Sequence, residues 1–362
     1  MKKVNYFLSL AAAALMTAAT VSCSSINDNP TPTPTPEPEP EIDNTGKNLI
    51  IKEVNVGGVK DANNKNYLWS KGIILYNNSG VKTTVKNLAI GTVPPGNAHG
   101  NFKTLDEEGN LIYENAGWVP AIYAAWFIPE ITIEPYSDAV IAVNGAIDHT
   151  TLAPDAINFA DASYYAMYDP ESGYNNASAY PAPFEDIPEA NYWKAAMFGK
   201  GNAWAISIMC PSFILFTVPE GVDLKTIIED ENNIWWDGNE GDIANRCAKI
   251  PTDWIIDGIE FYQSTKVDMS HKRLPASIDA GYGLYNNYKG YSAYRNVDKT
   301  ATEAIDENAG KLVYEYNQEV LDTKDASGID AAASLKNGAK IVYKDTNNST
   351  DDFHVRATWS LK

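Results

Sequence analysis

The sequence has little of what the common catalytic sites require. Only four histidines occur among its 362 residues, and no two have the spacing of the zinc-binding H-E-x-x-H helix. It also has no G-x-S-x-G nucleophile elbow, no phosphate-binding P-loop and no glycine-rich dinucleotide fingerprint. Zinc catalysis and the usual hydrolase, kinase and dehydrogenase classes therefore find no support in the sequence.

Positive charge is scarce as well. The chain has 28 lysines and arginines against 47 aspartates and glutamates, which gives a formal net charge of −19. A protein that binds nucleic acid needs a basic patch to displace counterions from the phosphates, and no cluster of lysine and arginine provides one. We therefore predict that nucleic acid is not a partner.

The N-terminal segment predicts where the protein is located. Two lysines precede an apolar, alanine-rich run at residues 6–21, which is too short to span a bilayer comfortably and is typical of a secretory signal. The motif Thr20-Val21-Ser22-Cys23 resembles a lipobox, although it differs from the commonest version at its first and third positions. We predict that residues 1–22 are a lipoprotein signal peptide and that Cys23 is lipidated. The alternative is plain secretion with a chance cysteine.

Residues 23–46 are predicted to form a spacer behind the lipidated cysteine. Thr-Pro and Glu-Pro pairs alternate through residues 30–41, a composition that favours extended polyproline II and cannot bury a core. At about 3.1 Å per residue this stretch would span roughly 35–40 Å. Residues 47–362 contain no second linker, so they are predicted to form one folded domain.

The pattern of this domain predicts an all-β fold, an immunoglobulin-like sandwich with long decorated loops and a few short helices. Residues 48–56 alternate apolar and polar side chains, as in a strand with one face in water. Residues 72–76 form a second strand, which ends at the turn-forming residues 77–80. Further strands are predicted at residues 85–90, 131–133, 139–143, 203–209, 213–218, 254–261, 312–316, 339–343 and 353–359. Short helices are predicted at residues 192–198, 224–231 and 328–336, the last capped by Ser327.

Several segments resemble known families. The opening of the domain resembles the lamin-tail type of β-sandwich through I-x-E-V at 51–54, ILYNNS at 74–79 and NLAIG at 87–91. Four later segments resemble a family of Bacteroidota lipoproteins of unknown function that is distantly related to lamin tails: IEPYSDAVIAVNGAIDH (133–149), KIPTDWIIDGIEF (249–261), KRLPASIDAG (272–281) and DTNNSTDDF (345–353). The resemblance covers most of the domain, with residues 308–337 as an insertion.

The resemblance implies a lamin-tail-like sandwich and a lipid-anchored protein of the outer membrane, displayed at the cell surface. It also implies partners, namely a TonB-dependent nutrient transporter and the binding lipoprotein that serves it. The family has no established catalytic residues, so we expect a non-enzymatic accessory component of nutrient uptake that binds a peptide or a glycan. Two alternatives stay open. One is an extracellular hydrolase whose acids, such as Asp257, Glu260 and Asp279, converge only in three dimensions; the other is an adhesin stiffened by calcium.

Two cysteines remain besides Cys23. Cys210 and Cys247 would lie in an oxidising compartment, where an even pair indicates a disulfide. Closing the 37-residue loop between them would stabilise the fold by roughly 4 kcal/mol in the chain-entropy model. The alternative is two buried free thiols.

Calcium is the only cofactor that the sequence suggests. Asp345, Asn347, Ser349 and Asp351 place oxygen atoms at alternate positions, as a calcium-binding loop does. The loop is not an EF-hand, because it lacks the turn glycine and the closing glutamate. A second oxygen-rich turn lies at residues 237–242, and solvated turns also explain both segments.

Four aromatic residues are candidate ligand contacts. Trp235, Trp236, Tyr285 and Tyr288 lie in loop-like or glycine-rich surroundings. Exposed rings of this kind stack on sugars or grip extended peptides. The alternative is that they pack beneath long loops as a satellite core, which is the commoner position of large aromatic side chains.

Overall fold

The computed structural model describes residues 41–100, 103–122, 124–172, 179–197, 204 and 206–362. Residues 40–362 form one compact unit. The predicted signal peptide, Cys23 and most of the predicted spacer lie outside the described residues. Within the described ranges, no helix is both long and apolar enough to cross a membrane.

The described chain is predominantly β, as predicted. Its strands are β1 (Ile42–Asp43), β2 (Leu49–Asn55), β3 (Val59–Lys60), β4 (Asn66–Tyr67), β5 (Gly72–Asn77), β6 (Lys82–Thr92), β7 (Trp118–Ile122), β8 (Ala124–Ile133), β9 (Asp138–Ala142), β10 (Tyr165–Met167), β11 (Tyr192–Met197), β12 (Ser212–Thr217), β13 (Ile234–Trp236), β14 (Arg246–Pro251), β15 (Ile255–Gln263), β16 (Gly283–Tyr285), β17 (Ser292–Arg295), β18 (Glu319–Val320) and β19 (Phe353–Arg356). The α-helices are short: α1 (Leu224–Glu229), α2 (Lys299–Glu303), α3 (Ala331–Lys336) and α4 (Ser349–Asp352). Because β1 pairs with β6, the folded domain begins before residue 47, the predicted boundary.

Most strands join one continuous path in the order β16-β15-β12-β6-β8-β11-β10-β9-β5-β2-β17-β19-β18, with β1 beside β6. The largest hydrophobic cluster collects side chains from strands along this whole path, including Ile51 of β2, Ile90 of β6, Trp193 of β11 and Phe261 of β15. Strands that are far apart in the path can share one core only if the sheet bends around it. The main sheet is therefore curved and encloses the core.

A separate antiparallel sheet has the order β13-β14-β7. One of its faces, with Val119, Ala248 and Ile250, packs into a second hydrophobic cluster. Because successive side chains of a strand point to opposite faces, the other face presents Trp118 and Trp235. This small sheet thus fixes the position of two tryptophans on the outside of the main fold.

Several predicted elements differ from the structure. Residues 192–197 form strand β11 rather than a helix, because they pair with β8 and this pairing outweighs the helical propensity of Lys, Ala and Met. Residues 312–316 and 339–343 make only isolated bridges. A strand was also predicted at residues 203–209. Residues 204 and 206–209 are not in a strand, and residues 203 and 205 lie outside the described ranges. Helix α1 is confirmed, and α3 begins after Asp330, whose side chain caps it in place of Ser327.

Candidate functional site

The acids considered for hydrolysis are buried and held by cations or backbone amides. The Oδ2 atom of Asp257 accepts hydrogen bonds from Arg295 Nη2 and from the backbone N–H of Ile51, both at 2.7 Å. Burial raises the pKa of Asp257 to about 6, against the opposing effect of the Arg295 guanidinium. The carboxylate therefore joins β15, β17 and β2 inside the fold.

Glu260 and Asp279 are likewise completely buried. Arg273 Nε lies 3.2 Å from Glu260 Oε2, and the ammonium group of Lys272 contacts the other oxygen. Asp279 accepts from the backbone N–H of Glu260 at 3.0 Å and from the Ser349 hydroxyl at 2.7 Å. Burial raises the pKa of Glu260 in spite of its two cations. These carboxylates act as internal anchors between the strand and the loops beside it.

The four predicted calcium ligands have other partners. Asp345 Oδ1 pairs with a buried arginine at 3.1 Å, and the Ser349 hydroxyl donates to a buried aspartate at 2.7 Å. Asp351 Oδ2 accepts from the side-chain amide of the residue that caps α4 at 3.0 Å, while the carbonyl of Asn347 accepts from a backbone N–H at 2.7 Å. The loop is thus a capped helical turn. In the described part of the chain, no group of three or more His, Cys, Asp or Glu is placed to hold a metal ion.

The predicted disulfide is wrong, because Cys210 and Cys247 are both buried and free. Cys210 packs with Ala98 and Tyr262 in a small cluster, whereas Cys247 lies on β14 directly opposite Trp235. The two cysteines therefore belong to different parts of the packing. Burial raises the pKa of the Cys247 thiol well above its usual range, which makes this thiol unreactive.

Tyr285, one of the predicted ligand contacts, is completely buried. Its hydroxyl accepts from the backbone N–H groups of Val56 and Gly57 at 3.2 Å and donates to the carbonyl of Tyr291 at 2.9 Å. The prediction of an exposed ring is wrong here, because the ring packs in the main core. Tyr288 is half-buried, with the ammonium group of Lys60 5.2 Å from its ring centroid.

Trp235 belongs to a group of side chains that we call the tryptophan face, which consists of Trp235, Trp118, Tyr113, Asp237 and Lys249. The centroids of Trp118 and Trp235 are 6.3 Å apart, and that of Tyr113 lies 5.4 and 6.1 Å from them. Both tryptophans are half-buried, whereas Tyr113 is fully buried behind them. Trp236, the neighbouring predicted residue, is half-buried and points to the opposite face of β13.

Asp237 and Lys249 are the charged residues of the tryptophan face, and Lys103 lies near Asp237. Asp237 follows Trp235 by two residues and so lies on the same side of the chain. Its Oδ1 atom is buried and has no hydrogen-bond partner among the described residues. Burial raises the pKa of Asp237 to about 6, against the weaker opposing effect of Lys103. The ammonium group of Lys249 lies 5.4 Å from the centroid of the Trp118 ring.

A cleft of about 490 Å³ adjoins the same segment of chain. Tyr262 and Tyr282 stack in it with their rings nearly parallel, 4.0 Å apart. Leu111 and Glu114 line the cleft, while Tyr113 between them packs against the tryptophans. The tyrosine cleft and the tryptophan face thus share one loop, and both have the aromatic lining typical of ligand sites.

Sequence patterns missed most of these residues. Trp118 and Lys249 lie on separate strands of the small sheet, and only the pairing of β14 with β7 brings them together. The adjacent pair Trp235-Trp236 was the sequence feature that indicated a site in this region. It located the face but not its other members.

A family model described as a protein of unknown function (DUF4876) matches residues 134–360. Among solved structures, the crystal structure of a DUF4876 family protein from Bacteroides thetaiotaomicron is similar, with a TM-score of 0.59 and 20% sequence identity. That match covers 85% of this chain and 70% of the other, and at this identity it shows the fold alone. A comparison with curated proteins gives no match. The predicted resemblance to a Bacteroidota family of unknown function agrees with both findings. Because the family model spans more than half of the chain, this protein belongs to the DUF4876 family.

Proposed function

We propose that this protein is a non-enzymatic binding lipoprotein that serves TonB-dependent nutrient uptake at the cell surface. Lipid on Cys23 would hold it in the outer membrane, and the proline-rich spacer would carry the domain away from the lipid. Its ligand would be a peptide or a glycan, and its partners would be a TonB-dependent transporter and that transporter's binding lipoprotein. The lipobox and the composition of the spacer support this location at the outer membrane.

The observation that carries the proposal is the division between aromatic and acidic side chains. Half-buried aromatic rings gather on the tryptophan face, next to the tyrosine cleft. In contrast, Asp257, Glu260 and Asp279 are buried, and each is held by ion pairs or hydrogen bonds to other buried groups. Glycoside hydrolysis needs two carboxyl groups that flank the scissile bond of a bound substrate. The arrangement therefore favours binding over the hydrolase alternative.

We further propose that the β-rich fold is a lamin-tail-like sandwich of the immunoglobulin type. The curvature of the main sheet supports it, because strands from the two halves of the strand path face one core. A hydrogen bond from Ile51 to Asp257 ties β2 to β15 across that core. Sandwiches of this kind present loops and small added sheets as binding surfaces.

Affinity purification from mild-detergent outer membranes tests the proposed function. The tagged, lipidated protein should recover a TonB-dependent receptor and its substrate-binding lipoprotein in stoichiometric amounts. An unrelated tagged lipoprotein from the same membranes should recover neither. Recovery of the protein alone, or turnover of any member of a glycan and peptide panel by the purified protein, would overturn the proposal.

A further inference from the structure

Strand β15 has an open edge at Gly258. The backbone N–H of Glu260 donates to Asp279 at 3.0 Å, on the side away from β12. The next N–H, that of Phe261, donates to the carbonyl of Pro211 at 2.9 Å, on the β12 side. Because the backbone groups of an antiparallel strand alternate between its two sides, Gly258 faces the same side as Glu260. Its N–H and C=O groups have no hydrogen-bond partner among the described residues.

The neighbouring strand does not cover this edge. β16 pairs with β15 from Phe261 onward, and Gly258 precedes that pairing by three residues. A cleft of about 360 Å³ lies beside this part of β15. Gly258 lines the cleft together with Ser277, Ile278 and Asn347. A ligand in the cleft can therefore reach a main-chain donor and acceptor at the edge of the sheet.

A second cleft, of about 850 Å³, adjoins the first and shares Asp253, Ile255 and Ile256 with it. We call the two clefts together the β15 groove. The two isoleucines are half-buried, so they give the groove apolar surface. Clefts of this size hold ligands that are large enough to be buried over much of their surface.

The charged side chains that line the groove have both signs. The ammonium group of Lys86 lies 3.9 Å from the Glu220 carboxylate, and both residues are exposed. Lys47 and Asp253 are also exposed, and neither forms a salt bridge within the described part of the chain. An oligopeptide with free termini has one charge of each sign. Its carboxylate complements Lys47, and its ammonium group complements Asp253.

An extended peptide is the ligand class that these features fit together. Its N–H and C=O groups can pair with those of Gly258, as an added strand does at an open sheet edge. A sugar lacks this main-chain spacing, and the described residues that line the groove include no aromatic ring on which a sugar could stack. The proline-rich spacer of this chain is a poor occupant, because proline has no N–H to donate.

We propose that the β15 groove binds an extended oligopeptide whose main chain hydrogen-bonds Gly258 and whose termini contact Lys47 and Asp253. This inference rests on the proposed binding function and names a peptide as the ligand. The groove shares no residue with the tryptophan face.

Affinity selection on the immobilised full chain tests this site. The probe is a tryptic digest of casein, and mass spectrometry identifies the retained peptides. We expect at least one peptide to be retained, and calorimetric titration with a synthetic copy gives its Kd. Ser277→Trp places a bulky ring at an exposed position of the smaller cleft and should weaken binding by about tenfold or more.

Backbone N-methylation of the retained peptide tests the main-chain pairing directly. Methylation of the nitrogen that donates to the Gly258 carbonyl should abolish binding. Methylation of the next nitrogen along should be tolerated, because successive N–H groups of a strand point to opposite sides. This scan uses the parent protein, so it does not depend on the folding of a variant.

Matched variants separate a binding defect from a folding defect. Thr300→Trp adds the same ring at an exposed position of α2, outside the groove, and should keep the parent Kd. Lys47→Gln and Asp253→Asn should each weaken binding by about two- to fivefold, as expected for exposed ion pairs. Amidation and acetylation of the peptide termini should weaken it to the same extent.

Three outcomes would overturn the peptide inference: no retained peptide, equal binding by Ser277→Trp and the parent, or tolerance of N-methylation at every position. These outcomes are separable from failure of the proposed function. Recovery of a transporter by a protein that retains no peptide would leave the uptake proposal standing and remove this site. Peptide binding that Ser277→Trp abolishes, without recovery of a transporter, would do the reverse.

Discussion

Arg273 illustrates how buried charges hold this protein together. Its guanidinium group is completely buried and bonds Glu260, the carbonyl of Cys210 at 2.9 Å and that of Phe261 at 3.0 Å. Removing one partner of such a network leaves the other charge in a low-dielectric interior without compensation. The cost then exceeds the value of any single hydrogen bond.

We expect Arg273→Met to lower the free energy of unfolding by about 3–5 kcal/mol, because two buried carbonyl groups lose their donor and the buried Glu260 keeps only one of its two cations, Lys272. The double variant Glu260→Leu/Arg273→Met should recover part of this loss, since no buried charge is left unpaired by that pair. Urea unfolding followed by tryptophan fluorescence measures both. The exposed pair of Glu307 and Lys340 provides the control, and Glu307→Gln should leave the unfolding midpoint unchanged. A loss no larger than that of Glu307→Gln would contradict the structural role of Arg273.

His354 should contribute to the pH dependence of stability. Its two ring nitrogens lie 2.6 Å from Asn296 Oδ1 and 3.1 Å from the Tyr316 hydroxyl. Burial and, to a smaller extent, the nearby Arg356 lower the pKa of His354 to about 3. The ordinary pKa of an unfolded histidine is about 6.5, so between these values the unfolded state binds a proton that the folded state does not. Stability therefore falls as the pH falls through this window.

His354→Gln tests this effect. Without the histidine, the slope of unfolding free energy against pH between about 6.5 and 3 should decrease by up to about 1.4 kcal/mol per pH unit. Urea unfolding at several pH values measures the slope. Buried carboxyl groups with a raised pKa, such as Asp257, make the folded state more stable as the pH falls. The variant and the parent must therefore be compared at each pH. The exposed His271 supplies the control variant, His271→Gln. Equal slopes for His354→Gln and the parent would contradict the prediction.

At the scale of elements, close packing between β15 and β16 depends on a glycine. Gly283 lies opposite Phe261 in the parallel pairing, and a Cβ atom there would overlap the Phe261 ring. Phe261 belongs to the main core and contacts Phe353 with a centroid distance of 5.3 Å. The ring therefore has little room to move aside.

We expect Gly283→Ala to destabilise the fold by about 1–3 kcal/mol, as overpacking of a dense core does. Gly96 is the matched control, because it is exposed and a Cβ atom there would meet nothing within 4 Å. Gly96→Ala should be neutral or stabilising by less than about 1 kcal/mol. Thermal melting of the two variants measures the difference. Equal midpoints would show that β16 can shift away from Phe261.

Strands with a clear local pattern were predictable from the sequence. β2, β5, β9, β12 and β15 all fall on segments with apolar alternation or short apolar runs, and the structure places strands there. The three-residue strands β10, β13 and β16 are too short to show an alternating pattern, and each is defined by its pairing with a neighbouring strand. β11 was mistaken for a helix because the helical propensity of its residues is outweighed by its pairing with β8.

At the scale of the whole molecule, the candidate site was predictable only in part. The Trp235-Trp236 pair marked the right region, but Trp118, Tyr113 and Lys249 join it only through tertiary pairing. Tyr285 was misjudged because its glycine-rich surroundings indicated a loop, whereas its hydroxyl binds backbone groups in the core. Local composition describes the neighbours of a residue in sequence, and burial depends on neighbours in space.

The location of the protein in the cell can be tested separately from its fold, because Cys23 precedes the compact unit at residues 40–362 in the sequence. We expect Cys23→Ser to abolish labelling by radioactive palmitate and to release the protein from the outer-membrane fraction, since acyl chains supply about 0.8 kcal/mol per buried CH₂ and no other anchor is predicted. The melting temperature of the released protein should match that of the lipidated parent, because residue 23 precedes the compact unit in the sequence. Cys247→Ala is the control, as it removes a buried thiol and should keep both the label and the membrane location. Retention of Cys23→Ser in the membrane would mean that an attachment other than the lipobox cysteine holds the protein there.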